Sequence, residues 1–160
     1  MITFDMRTVI LSYVVSNAIC MSVIATLWFQ SRRQVAGLGF WTAGYVLNFL
    51  SILLIDLRGI LPDFFSIVVG NSFLLAGMLL IYIGMEHYVG KTSSQLHNVI
   101  LLAAFTIVHA YFTFIQPSLM VRNVNVALSL LIICSQCSWL MLKRVDPECG
   151  RLQGRLAWFV

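Results

Sequence analysis

Five long apolar runs, parted by short polar gaps, set the pattern of this chain. The first runs from about Thr8 to Phe29 and stops at Arg32-Arg33, and the second from about Leu38 to Ile55, before Asp56 and Arg58. The third begins at Phe64, after Pro62-Asp63, and continues to about Met85, before Glu86-His87. The fourth covers about Asn98 to Ile115, before Gln116-Pro117, and the fifth about Val124 to Leu142, before Lys143-Arg144. A bilayer core about 30 Å thick takes roughly 20 apolar residues at about 1.5 Å each. Each run is of that order. Helix is the state in which an isolated span in lipid satisfies its own backbone hydrogen bonds. A barrel would need short alternating segments, and these runs are long and continuous. The pattern therefore predicts an all-α fold, a polytopic transmembrane helical bundle in which residues 1–160 form one transmembrane domain.

The two ends of the chain add detail. The first run is about twice as long as the apolar core of a signal peptide and ends in Trp28-Phe29-Gln30, with no small-residue cleavage site, so it reads as an uncleaved helix. Leu156-Ala157-Trp158-Phe159-Val160 reads as the first turn of an incomplete sixth span, from about residue 156. On that reading the chain is a fragment or a shortened gene product.

Composition agrees with the pattern. Hydrophobic residues make up 60% of the chain and charged residues 10%, against roughly 25% charged in a soluble domain. The placement of Lys and Arg gives the orientation. Arg32, Arg33, Lys91, Lys143, Arg144, Arg151 and Arg155 follow spans one, three and five, whereas Arg7, Arg58 and Arg122 lie on the other side. Seven against three puts the N-terminus outside and the loop after span five inside. Topology thus accounts for the net charge of +4. A nucleic-acid partner would need a basic surface with interleaved aromatics, and the sequence has none.

Candidate chemistry is sparse. Arg58, Gly59, Pro62 and Asp63 form a turn between spans two and three. Gly59 supplies a permissive backbone, Pro62 favours an extended Leu61, and Asp63 stands where an N-cap carboxylate could meet the first amides of span three. A signal-receiving role for Asp56, Arg58 and Asp63 is the alternative to a purely structural turn. In span three, Gly70, Gly77 and Gly84 recur every seven residues, which keeps them nearly on one helix face. Such a stripe lets a second backbone come close. It marks either an internal packing face, which the mid-chain position favours, or a dimer face.

Polar residues inside apolar spans are costly and usually face the bundle interior or a cavity. With the orientation above, Asn71, His109 and Asn125 lie in the outward parts of spans three, four and five, and Asn48 lies near the middle of span two. Interhelical hydrogen bonds are the ordinary use of such groups. The functional reading is a pocket open to the outside, taking a small-molecule signal. His109 is a weak candidate for haem or metal, since His87 and His97 sit near the inner interface and no ligand cluster has recognisable spacing. No cofactor is expected. Cys134-x-x-Cys137 lacks both the aqueous βαβ setting of thioredoxin-like chemistry and two further zinc ligands. These two, Cys20 and Cys149 read as reduced packing residues. Phosphate loops, paired carboxylates and a nucleophile elbow are absent from the sequence. No charge lies deep in a span to mark an ion path, and no transporter-like repeat is evident. Glu86 and His87 are adjacent, point in different directions on a helix, and do not suggest a lipid-modifying enzyme.

One resemblance adds to this. LRGILPDFFSIVVGN, from Leu57 to Asn71, and GLGFWTAGYVLNFLSILL, from Gly37 to Leu54, resemble the N-terminal membrane sensor regions of bacterial GGDEF-type diguanylate cyclases. The likeness spans about Met6 to Lys143 and is strongest from Arg32 to Gly90. In that family the membrane helices precede a cytoplasmic domain that makes cyclic di-GMP from GTP. This chain has no Gly-Gly pair, so the GGDEF motif and its GTP and metal-binding residues are absent and no catalytic residue carries over. The resemblance implies a sensory or anchoring region in the bacterial inner membrane, working as a homodimer because cyclase domains act in pairs. The alternative is a small standalone multi-pass protein serving as a transport or assembly subunit.

Overall fold

The structure, a computed structural model, describes residues 6–31, 36–91 and 93–144. The sixth span expected from about residue 156, and Cys149, lie outside the described residues. The chain is a multi-pass membrane protein built as a helical bundle. Its elements are α1 (Met6–Ser31), α2 (Leu38–Asp56), a π-helical segment (Phe64–Val69) running straight into α3 (Gly70–Tyr88), α4 (Leu96–Phe114) and α5 (Leu119–Arg144). Among the described residues, five spans, counting the π segment with α3, are long and apolar enough to cross a membrane. The turns after α2 and α4 lie at one end of the bundle, called here the Pro62 end. The connections before α2 and after α3 lie at the opposite, Glu86 end.

Two span boundaries depart from the hydropathy reading. The α3 helix continues through Glu86 to Tyr88, so Glu86 is part of the span. The α5 helix starts at Leu119 and not near Val124. Hydropathy stops at Arg122 because a guanidinium in lipid is costly. In the fold Arg122 lines a hollow between helices and continues the helix.

The best-matched pair is α2 and α3. Gly44 and Gly77 face each other so closely that a Cβ on Gly77 would lie 2.8 Å from the Gly44 carbonyl oxygen, and one on Gly44 would lie 2.7 Å from the Gly77 carbonyl oxygen. Gly37 meets Gly84 at one end of this seam and Ser51 meets Gly70 at the other. The seven-residue glycine stripe of α3 thus lies buried against a matching stripe formed by Gly37, just before α2, and Gly44 and Ser51 within it. Close approach replaces the hydrophobic drive that lipid removes, and two hydrogen bonds fasten the seam. Ser51 donates its Oγ to the Gly70 carbonyl at 2.7 Å, and Trp41 donates its Nε1 to the Ile81 carbonyl at 3.1 Å.

On its other side α3 packs on α4 and α5 through a core of Leu75, Leu79, Tyr82, Phe105, Ile133 and Leu140. By contrast α1 touches α2 alone among the described elements and buries none of its described side chains. Its polar groups are hidden locally: Ser16, Asn17, Ser22 and Thr26 each donate to the carbonyl four residues earlier. Cys20 and Cys134 are also exposed, not packing residues as expected, and only Cys137 leans on the core. Three-residue spacing puts Cys134 and Cys137 on neighbouring positions, but the core edge runs between them.

The α2–α3 turn uses its glycine as expected, with Gly59 at φ +97°. Asp63 departs from expectation. Its backbone is already helical (φ −56°, ψ −27°) and its side chain makes no capping bond. The Pro62 carbonyl instead accepts the amides of Phe65 and Ser66, at 3.0 and 3.3 Å. An N-cap carboxylate works from an extended backbone, and Asp63 lies one position too far into the helix.

Candidate functional site

Two polar sites stand at opposite ends of α3. At the Glu86 end, the connection from α3 to α4 folds over Glu86, which is 1% exposed. Tyr82, one turn earlier, donates its hydroxyl to Glu86 Oε1 at 3.0 Å, and Ser93 donates to the same oxygen at 2.5 Å. Gln95 donates Nε2 to Oε2, and its own Oε1 accepts from Asn98 Nδ2 at 2.7 Å. Lys91 supplies the countercharge, with Nζ 3.6 Å from Oε1. Both carboxylate oxygens are therefore occupied. A buried charge with this many partners joins α3, the connection and the start of α4. Sequence reading assigned Glu86 no role, because Glu86 and His87 are adjacent and leave a helix in different directions; its partners come from one turn earlier and from the following connection.

The Pro62 end is built differently. The π-helical segment holds Ser66 and Ile67 toward the bundle, and π turns of this kind recur at functional sites. Where its wide turn narrows to α geometry, Asn71 donates its side-chain amide to the Ile67 carbonyl at 2.7 Å. Across from it, α4 brings His109, its ring stacked on Phe105 with centroids 5.2 Å apart. The first turns of α5 bring Arg122 and Asn123, and the α2–α3 turn brings Arg58. These groups surround a half-open hollow of about 110 Å³.

Its polar walls are unsaturated. His109 is 2% exposed, and neither ring nitrogen has a hydrogen-bond partner. Ser66 is 1% exposed and its Oγ is likewise unpartnered. A buried polar group left without a partner costs about 1–3 kcal/mol. At least one nitrogen of a neutral imidazole is an N–H donor, so His109 holds a donor with nowhere to place it.

The four pocket candidates from the sequence divide evenly. Asn71 and His109 share the hollow. Asn48 lies in the α2–α3 seam, its Oδ1 2.8 Å from where a Cβ on Gly77 would stand. Asn125 donates to the Phe105 carbonyl at 3.2 Å and ties α5 to α4. Depth in the membrane groups all four roughly together, but the direction around each helix separates them. Arg58 was a turn residue in the sequence reading and is a wall of the hollow in the fold. Ser66, Arg122 and Asn123 were missed. The available signal was Arg122 itself, a cation on the side poorer in Lys and Arg, next to an apolar run. A larger hollow of about 420 Å³, where Trp28 meets Gly39, Ala43, Val46 and Leu47, is almost wholly apolar and offers a ligand little to recognise.

No protein-family model, no curated protein and no solved structure matches this chain.

Proposed function

We propose that this chain is the sensory and anchoring region of a bacterial inner-membrane signalling protein. Its N-terminus and Pro62 end face the periplasm, and it passes the state of the Pro62-end hollow to a cytoplasmic output domain of the diguanylate cyclase type. The observation that carries this reading is a single continuous helix joining an unsaturated hollow to the opposite membrane face. Ser66, Ile67 and Asn71 form its wall at one end, and the tightly partnered Glu86 stands at the other. Orphaned donors at a half-buried site are a standing cost to the fold, and a ligand that meets them is favoured in proportion. The seven-to-three split of Lys and Arg supports the orientation. The resemblance of the Gly37–Asn71 region to cyclase sensor regions supplies the class of output and implies a second copy as partner. Catalysis belongs to the output domain. With no residues to hold GTP or its metal, the chain itself leaves GTP unconverted.

The test is to join a diguanylate cyclase catalytic domain after Val160 and measure cyclic di-GMP in cells with the parent sequence and with His109→Leu. The expected result is several-fold different output at equal protein level. Equal output from the two, or labelling of cysteines placed at Ser94 and Ser118 from the same side of the membrane, would remove the reading.

A further inference from the structure

We infer that the hollow at the Pro62 end binds a small oxyanion, a carboxylate or phosphate group held between Arg58 and Arg122. The cations and the unmatched N–H and O–H donors of the hollow suit an anion. Arg58 comes from the α2–α3 turn and Arg122 from the first turns of α5, so two basic residues from separate elements line one space. Neither makes an ion pair. The one salt bridge among the described residues joins Lys91 to Glu86 at the other end. Asp56 and Asp63 flank Arg58 in sequence, yet both are exposed and neither lines the hollow. Two like charges facing a space with no carboxylate repel one another, and an anion between them reverses the sign of that interaction.

The neutral groups point the same way. His109 and Ser66, both almost wholly buried, hold hydrogens that no protein acceptor receives. Guanidiniums meet planar or tetrahedral oxyanions through paired N–H donors, which gives geometry as well as charge. A space of about 110 Å³ is smaller than the ~150 Å³ cavity that takes a benzene ring, so the ligand is a single oxyanion group or a short acid. Two sources present such a group at this depth: a free anion from the aqueous side, and a phospholipid headgroup entering from the bilayer surface.

The inference names the chemistry of the stimulus and rests on the sensory reading above for its biological sense. Its test needs no output domain. Binding without a change in cyclic di-GMP would sink that reading alone, and an output response to His109→Leu without anion binding would sink this one alone.

The experiment measures thermal unfolding of the whole chain in detergent against inorganic phosphate and against propionate, with chloride at matched ionic strength as reference. Separate samples in nanodiscs compare phosphatidylglycerol with phosphatidylcholine. A free oxyanion raises the melting temperature saturably, by roughly 5–10 °C at a hundred times Kd, and chloride does not. R58Q and R122Q each weaken the effect by about 10–100-fold, the value of a charged hydrogen-bonded partner. R58K, which keeps the charge without the fork, falls between. Stabilisation by phosphatidylglycerol alone, lost in the same two variants, supports the headgroup as the source. No stabilisation from either source, an equal effect of chloride, or an effect that survives both arginine variants overturns the inference. Arg58 is exposed, so R58Q reports on binding even if R122Q fails to fold.

Discussion

The two ends of α3 make opposite use of buried polarity. At Glu86 both carboxylate oxygens are met, by a tyrosine, a serine, a glutamine and a lysine gathered from one turn of helix and one short connection, and the acceptor left over is Oδ1 of the neighbouring Asn98. At His109 the helices supply donors and leave them unmatched. The first arrangement stabilises the native state and is expensive to disturb. The second holds free energy in reserve, and removing its polar group relieves the fold. Burial alone does not distinguish them, since Glu86 and His109 are equally hidden. The count of partners does.

The largest effect should come from breaking the satisfied end. Glu86→Ala leaves the Tyr82 hydroxyl, the Ser93 hydroxyl and the Gln95 amide facing a void beside Lys91. Its expected cost is about 3–5 kcal/mol, as for removing one partner of a buried charge network. Thermal or denaturant unfolding in detergent reads it, and Glu86→Gln, which keeps an acceptor, should lose markedly less. A loss under about 1 kcal/mol for Glu86→Ala would place that cluster in water and erase the contrast.

Next in size is the seam that holds both ends in one frame. Gly77→Leu drives a side chain into the Gly44 carbonyl and Asn48, and overpacking of that kind costs about 1–3 kcal/mol. Leu80→Ala, on the face toward the apolar hollow with Trp28, serves as the comparison. If Gly77→Leu melts at or above the parent temperature, α2 does not lie where the structure has it.

The smallest effect carries the opposite sign. His109→Phe keeps a ring against Phe105 and removes two orphaned nitrogens, so it should raise stability by about 1 kcal/mol in the absence of added anions. A loss of about 2 kcal/mol, the cost of breaking a satisfied buried bond, would show that His109 already has its partner and resembles Glu86.

How much of this was legible beforehand follows from what each residue's role depends on. Span positions depend on runs of apolar residues, and all five were readable. The boundary errors fall at Glu86, where a charged residue is kept inside a span by partners that hydropathy does not see, and at Arg122, which continues the helix beside a hollow. The glycine stripe of α3 was readable from spacing. Its counterpart on α2 was equally readable, since Gly37, Gly44 and Ser51 repeat the same interval, but it becomes informative only once the two helices are laid antiparallel. The hollow was half legible. Asn71 and His109 are polar residues in apolar runs, a signal that survives in one dimension. Asn48 and Asn125 carry that signal too, and only the angle at which each leaves its helix assigns them to a seam and an interhelical bond. The convergence of Arg58 with Arg122 depends on two turns meeting in space, which no local pattern encodes.

The seam between α2 and α3 has a consequence for how such a chain can be inherited. Gly37, Gly44 and Ser51 meet Gly84, Gly77 and Gly70 in step, small residue against small residue. Adding or losing one residue inside either stretch would swing everything beyond it by about 100° around the helix axis and set bulk against bulk along the rest of the join. Substitution on the lipid-facing surfaces carries no such penalty. Lineages descended from this chain are therefore free to change their letters and bound to keep their count. Kinship would show as three small residues at intervals of seven, a turn, and three more small residues at the same interval, long after the rest of the spelling had drifted.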